Sequence, residues 1–144
     1  MTPQNPSFVE EIRQSFNGQA AMTLIGASLT RVDPGIIEIT LPYRADLTQQ
    51  HGYIHAGIVT SIVDTACGYA AFSLMPAGSE VLSVEFKVNL LRPAKGKSFI
   101  ARAGVIKPGR TLTVVRGEVF GVDDSGERQL VATMLATMMC LRKA

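Results

Sequence analysis

The sequence lacks most of the features that mark nucleic-acid-binding and secreted proteins. Its 144 residues include no Trp, two His and two Cys, and Cys67 and Cys140 form no Cys-x-x-Cys pair. Charged residues make up 18% and the net charge is only +2, which argues against a concentrated basic face for nucleic acid. No basic region followed by an apolar stretch opens the chain. We therefore expect a cytoplasmic protein with reduced, buried thiols.

One stretch, Ala56 to Met75, is long enough to cross a bilayer. Asp64 lies near its middle, where a carboxylate costs about 2.5–3.5 kcal/mol on insertion scales. Ser, Thr and Gly also dilute its apolar character. The sequence therefore favours a helix buried inside a globular fold over a membrane-spanning helix, and we expect no membrane partner.

Hydrophobic residues make up 47% of the chain, enough for one domain with a single core over residues 1–144. Residues 1–20 form a predicted N-terminal helical extension, with a helix over Ser7 to Phe16 that has one apolar stripe. A long helix is expected over His55 to Met75. Alternation and turn residues predict about six strands, at residues 22–32, 37–41, 82–90, 99–105, 111–120 and 130–141.

The order of these elements predicts an α+β fold. The four strands after the helix are expected to form an antiparallel meander, and the slip of the two-residue period at Val114-Val115 predicts a bulge there. A helix that is apolar nearly all round has to be wrapped by a strongly curved sheet and covered on its remaining side. In a chain this small, the expected cover is a second copy of the chain.

The residues before and within the long helix resemble the signature of hotdog-fold acyl-CoA thioesterases. The pattern occupies Gln49, Gly52, the run His55-Ala56-Gly57, and Asp64, and Val84 to Gly96 resembles the strand and turn that follow the helix. The similarity extends over residues 24–141 and is strongest to the PaaI-like family and to the 4-hydroxybenzoyl-CoA thioesterases with a helix-borne carboxylate. It implies the hotdog fold, a curved antiparallel sheet of about six strands around one central helix. It also implies hydrolysis of an acyl-CoA without metal or other cofactor, coenzyme A being part of the substrate.

The spacing of the signature suits thioester chemistry. A helix that begins at His55 presents the free Ala56 N–H, with Gly57 beside it, to the oxyanion of the reaction. Asp64 is the candidate nucleophile or general base. By resemblance, the N–H after the histidine is the oxyanion donor, and Gln49 positions water or braces the thioester carbonyl.

His55 and Asp64 are predicted to lie on opposite sides of the helix, because nine residues rotate by about 900°. They are also separated by about 13.5 Å along its axis. One helix cannot bring both to one thioester, whereas two antiparallel copies can. We therefore expect a homodimer with shared active sites, or a tetramer built as a dimer of dimers.

Substrate-binding residues are expected around this constellation. By position in the signature they include Gly52, Thr65 and Gly68, the last standing where some relatives carry a hydroxyl residue. The phosphates of coenzyme A call for scattered basic residues at the mouth of the pocket. Arg92 and Arg110, each in a basic turn, are the first candidates because arginine binds phosphate in bidentate fashion.

Several residues have plainer interpretations. Asp64 is equally compatible with a structural carboxylate capped by Thr60 or Ser61, and His55 with a simple helix cap. His51 and His55 have the spacing of a metal pair, but Gly52 interrupts the helix and no third ligand lies near, so no metal is expected. At the level of function, a hotdog enoyl-CoA hydratase or dehydratase is the enzymatic alternative, although its His-Phe-Pro-Gly signature is absent. A non-catalytic acyl-CoA-binding hotdog module is the other alternative.

Overall fold

A computed structural model of the chain describes residues 1–142. The elements in chain order are α1 (Phe8–Asn17), α2 (Ala20–Ile25), β1 (Ser28–Asp33), β2 (Ile36–Pro42), a short 3-10 turn (Ala45–Leu47), α3 (Ala56–Phe72), β3 (Ser79–Leu90), β4 (Ser98–Lys107), β5 (Leu112–Val122) and β6 (Arg128–Arg142). Within residues 1–142, six strands form one sheet in the order β1-β2-β4-β5-β6-β3, and every neighbouring pair is antiparallel. The α+β class is confirmed.

Helix α3 lies in the concave face of this sheet and forms the centre of the core, packed against β2 to β6. Close approach depends on Gly117 of β5, where an added Cβ would meet the side chain of Val63 and lie 2.9 Å from Cys67 Sγ. None of the helices within residues 1–142 combines the length and the apolarity that crossing a bilayer requires. The long apolar stretch is therefore a core helix, as the carboxylate in its middle predicts.

The predicted strand over residues 22–32 is wrong in its first half. Residues Ala20–Ile25 form α2, which buries Met22 and Ile25 at a helical spacing. Gly26 ends the helix in the left-handed region at φ 78°, a conformation that favours glycine. The N-terminal helical part of the chain therefore continues past residue 20, and β1 begins only at Ser28.

The predicted four-strand meander is also wrong in part, because only β4, β5 and β6 are consecutive neighbours. Strand β3 pairs with β6 on the far side of the meander. The connection over residues 91–97 contains Pro93, which cannot donate a main-chain hydrogen bond, and is too long for a tight hairpin. β6 thus lies inside the sheet, with β5 and β3 as its neighbours, and β3 is an edge strand.

Two bulges differ from the prediction. The slip expected in β5 at Val114-Val115 lies in the opposing strand, where Ile106 of β4 is the extra residue between Val105 and Lys107. A second bulge lies in β3, where the pairing shifts between Ser83 and Glu85. The regular alternation of Leu82 to Leu90 therefore does not correspond to one face. It is this second bulge that turns Ser83 towards α3.

Candidate active site

The amino terminus of α3 is capped by the residue that precedes it. The His55 Nδ1 atom accepts a hydrogen bond from the Gly57 N–H at 2.8 Å, and the His55 carbonyl accepts from the Ile58 and Val59 N–H groups at 2.9 and 3.1 Å. An Nδ1 atom that accepts leaves the ring proton on Nε2. His55 is thus a helix cap, in line with the plainer interpretation of this residue.

This cap leaves one donor of the first turn free. The first four N–H groups of a helix lack intrahelical partners of the usual kind. Here the His55 N–H donates to the Leu47 carbonyl, and the Gly57 and Ile58 N–H groups donate to His55. Within residues 1–142, the Ala56 N–H has no hydrogen-bond partner. The Ala56 N–H therefore stands alone at the positive end of the α3 dipole, and the Gly57 N–H expected beside it is already engaged.

Gln49 is held in a fixed orientation by its own loop. Its Oε1 atom accepts from the His51 N–H at 2.6 Å and from the Tyr53 N–H at 3.3 Å. Gly52 completes the turn at φ 83°, donating to the Gln49 carbonyl at 3.1 Å and accepting from the Tyr43 hydroxyl at 3.1 Å. Because the amide oxygen is occupied, the Nε2 group is the end of Gln49 that is free to donate. Gly52 shapes this loop and lines neither of the clefts described below.

Gln49 and Ala56 line the same cleft of about 480 Å³, here called the amide cleft. Its walls are mainly apolar and include Ile54, Val59 and Leu90. Arg92 also lines it and is anchored by a 2.9 Å hydrogen bond from Nη1 to the Leu130 carbonyl. Three of the predicted site residues are therefore brought together here.

Asp64 lies in a second cleft of about 450 Å³, here called the Asp64 cleft. Its carboxylate is half-buried, and Oδ1 accepts a 2.7 Å hydrogen bond from the Ser83 hydroxyl. Within residues 1–142, Oδ2 accepts no hydrogen bond. The predicted residues Thr65 and Gly68 line the same cleft, and nothing lies within 4 Å of the position of a Cβ on Gly68.

Local hydroxyls do not cap Asp64. The Thr60 hydroxyl donates to the Ala56 carbonyl at 2.8 Å and the Ser61 hydroxyl to the Gly57 carbonyl at 2.7 Å. The hydroxyl that contacts Asp64 belongs to Ser83 of β3, whereas Gly68 stands where some relatives carry a hydroxyl residue. Ser83 has no distinguishing signal in the sequence, because the alternation of Leu82 to Leu90 is regular and gives no sign of the bulge in β3.

Cys67 is excluded as the nucleophile by its surroundings. Burial, together with the nearby negative charge of Asp64, raises the pKa of its thiol to about 12. A thiol in this state carries almost no thiolate at neutral pH. Within residues 1–142, no cluster of three His, Cys, Asp or Glu side chains has the arrangement of a metal site.

The two clefts are separate in a single protomer. They have no lining residue in common, and eight residues of helix place Ala56 and Asp64 about 12 Å apart along the axis. Arg110 lies in neither cleft, but in another cavity near Met75 and Arg142, past the end of α3. A single chain therefore does not bring the predicted carboxylate, amide and second arginine to one thioester.

Comparison with known proteins identifies the family to which this fold belongs. A family model described as the thioesterase superfamily matches residues 51–127. A thioesterase family protein from Silicibacter pomeroyi is 50% identical, with a TM-score of 0.92, over 94% of this chain and 99% of its own. The PaaI protein of E. coli, from the phenylacetic acid degradation operon, shares the fold with a TM-score of 0.82 at 21% identity, over 98% of this chain and 96% of its own.

Relatives found by sequence similarity are named as candidate esterases. A protein of Halobacterium salinarum named as a candidate esterase is 28% identical over 123 residues, which is 82% of this chain and 81% of the relative. The family model covers more than half of the chain, and the solved S. pomeroyi protein matches nearly all of it. The chain therefore belongs to the thioesterase superfamily, as a thioester hydrolase with the hotdog fold.

Proposed function

We propose that the protein hydrolyses acyl-CoA thioesters at sites that two antiparallel copies form together. This proposal rests on one observation: helix α3 carries a free N–H donor and an oriented carboxylate, and the two groups face different clefts. The Ala56 N–H is the unpartnered donor of α3, and Asp64 of the same helix faces a different cleft. An antiparallel second copy puts the Asp64 cleft of one protomer against the amide cleft of the other.

These groups and one water molecule account for every bond that forms and breaks in the reaction. The Ala56 N–H, at the positive end of the helix dipole, stabilises the negative charge that forms on the thioester carbonyl oxygen. The free Nε2 group of Gln49 braces the same carbonyl or the attacking water. An oxygen attacks the carbonyl carbon, the C–S bond breaks, and the proton lost by water passes to the leaving thiolate, giving free acid and coenzyme A.

Asp64 is either the base that removes a proton from the attacking water or the nucleophile itself. In the second case water then hydrolyses the acyl–aspartate anhydride, which releases the free acid and restores the carboxylate. Ser83 fixes Oδ1, so Oδ2 is the oxygen presented to the substrate side. A hydrogen bond to a carboxylate is a charge-assisted bond, strong enough to hold one rotamer. We assign Ser83 the role of a positioning residue for Asp64.

Strand β3 supports the second copy in this proposal. It is an edge strand of the sheet and carries large apolar side chains at Leu82, Val84 and Phe86 that are 43–56% exposed. An apolar edge of this kind is a site for pairing with another chain. A homodimer along β3 and α3 covers it, and a tetramer then forms as a dimer of dimers.

The rest of the assignment follows from the substrate. Arg92, at the amide cleft, is the residue we propose for the phosphates of coenzyme A. Because Arg110 lies in neither cleft of its own protomer, we propose that it binds these phosphates only where another protomer completes the site. We propose that the reaction needs no metal or other cofactor and takes place in the cytoplasm.

The experiment is a panel of aromatic and straight-chain acyl-CoA substrates, assayed by release of free thiol. The wild type is expected to release thiol, and Asp64→Asn to lower kcat by at least about 10²-fold. Asp46→Asn, on an exposed surface carboxylate paired with Arg44, is the matched control and should leave kcat unchanged. Binding of acyl-CoA without thiol release would support the non-catalytic alternative instead.

A further inference from the structure

The two clefts differ in chemistry, and the difference bears on which part of the substrate each one takes. Asp64 and Glu80 both line the Asp64 cleft, and no Lys or Arg within the described chain lines it. Arg92 lines the amide cleft. Since coenzyme A ends in several phosphates, its nucleotide end is repelled from the Asp64 cleft and attracted towards Arg92. Given the proposed function, the acyl group then extends from the thioester into the Asp64 cleft.

Other polar groups line the Asp64 cleft besides the carboxylate. The Ser15 hydroxyl and the Tyr69 hydroxyl are hydrogen-bonded at 3.0 Å, and the Thr65 hydroxyl donates to Gln19 Oε1 at 3.3 Å. The Tyr69 ring is buried against Phe16, with the two ring centroids 6.2 Å apart. A burial of this extent fixes the position of the Tyr69 hydroxyl at the wall of the cleft.

The Ser15–Tyr69 and Thr65–Gln19 hydrogen bonds leave some donors and acceptors of these side chains unused. Two hydroxyls have two donors and several lone pairs between them, and one mutual hydrogen bond uses only one donor. Ser15 of α1 and Gln19, just before α2, therefore offer polar groups to a bound acyl chain. A purely alkyl chain makes no hydrogen bond to these groups. Such a site discriminates between substrates because a polar group that is left without a hydrogen-bond partner costs binding free energy.

We propose that the Asp64 cleft selects acyl groups that carry an uncharged hydroxyl at their far end, which binds the Ser15–Tyr69 pair. A plain alkyl chain leaves this pair without a substrate partner. A terminal carboxylate is disfavoured because it places a second negative charge beside Asp64. Asp64 and Tyr69 lie five residues apart on α3, which is a rise of about 7.5 Å along the helix axis, and we take this rise as the scale of the acyl chain. At about 1.2 Å of extension per bond, this corresponds to an acyl chain of about six carbons.

The test compares three acyl-CoA substrates of equal length by thiol release: 6-hydroxyhexanoyl-CoA, hexanoyl-CoA and adipoyl-CoA. We expect kcat/KM for the hydroxyacyl substrate to exceed that for hexanoyl-CoA by about threefold to tenfold, the range of one net hydrogen bond. We expect adipoyl-CoA to be the poorest of the three. Tyr69→Phe and Ser15→Ala should each bring the hydroxyacyl-to-alkyl ratio towards one.

Tyr53→Phe, in the amide cleft, is the control and should leave this ratio unchanged. Ser15 is exposed, so Ser15→Ala keeps the test valid even if Tyr69→Phe lowers the stability of the fold. Equal rates on the three substrates, or a ratio unaffected by both variants, would overturn the assignment of the cleft. If that result came with hexanoyl-CoA hydrolysis that Asp64→Asn abolishes, the proposed function would still hold. No thiol release from any acyl-CoA would overturn both.

Discussion

The Ser83 hydroxyl donates a 2.7 Å hydrogen bond to Asp64 Oδ1, joining an edge strand to the middle of the central helix. The contact exists because the pairing of β3 with β6 shifts just after Ser83, which turns this side chain towards α3. One oxygen of the carboxylate is thereby fixed and the other is left to act. Orientation of this kind is required when a group has to meet a carbonyl carbon at a defined angle.

Replacement of Ser83 tests the orientation of Asp64. Ser83→Ala should lower kcat by about tenfold to a hundredfold with little change in KM, because a hydrogen bond to a charged group is lost. Ser83→Thr, which keeps a hydroxyl, should recover most of the rate. Ser61→Ala is the matched control, since its hydroxyl binds the Gly57 carbonyl on the same helix. A Ser83→Ala enzyme with the kinetics of the wild type would contradict the positioning role.

Replacement of Ala56 by proline removes the proposed oxyanion donor and little else. Proline is favoured at the first position of a helix, and His55 at φ −58° and ψ 137° has the extended backbone that precedes proline. We therefore expect Ala56→Pro to keep the melting temperature and to lower kcat by about 10²- to 10³-fold. Ala56→Gly, which keeps the N–H, should remain active, and equal activity of the two variants would exclude this donor.

The sharing of sites between copies predicts complementation. Ala56→Pro and Asp64→Asn should each be inactive, but a mixed dimer has one site with both groups intact. After subunit exchange of equal amounts, about a quarter of the wild-type activity should return, since about half of the dimers are mixed. The activity of the mixture is measured before and after mild dissociation and reassociation. A mixture that stays inactive while exchange is shown by mass spectrometry would contradict the shared site.

Much of the fold was predictable because its signals are local. The carboxylate in an apolar helix, the alternation of β4 and the turn residues at Asp33-Pro34-Gly35 each specify an element without reference to distant parts of the chain. The helix Ala20–Ile25 was missed because its six residues are also compatible with a strand, and tertiary burial of Met22 decides between them. The position of β3 beside β6 depends on pairing between residues that are far apart in sequence.

Part of the candidate site follows from the sequence in the same way, and part of it does not. Gln49, Ala56 and Asp64 follow from a signature of fixed spacing, and the structure gives each a setting that suits its proposed role. The engagement of Gly57 by His55 was not predictable, because it depends on the direction of one imidazole ring. Ser83 required knowledge of a bulge, which has no reliable sequence signal in an alternating strand.

The two cysteines should be unreactive in the folded protein. At pH 8 the Cys67 thiol, with a pKa of about 12, is ionised in only about one molecule in 10⁴. Cys67 and Cys140 are both buried, which limits the access of reagents to either thiol. An aromatic disulfide reagent should detect no thiol in the native state and two after denaturation in guanidinium. Iodoacetamide should leave activity unchanged. Rapid labelling of Cys67 in the active enzyme would show that the helix does not lie against the sheet as described.

The contact of α3 with β5 is tested by adding a methyl group at its tightest point. In Gly117→Ala, the new Cβ meets the side chain of Val63 and lies 2.9 Å from Cys67 Sγ, so the helix has to move or the core has to repack. We expect the free energy of unfolding in urea to fall by about 1–3 kcal/mol, the usual cost of overpacking. Gly104→Ala on β4 is the control, because nothing lies within 4 Å of its Cβ position. If Val63 is the obstacle, Val63→Ala and Gly117→Ala should together cost less than the sum of their separate effects.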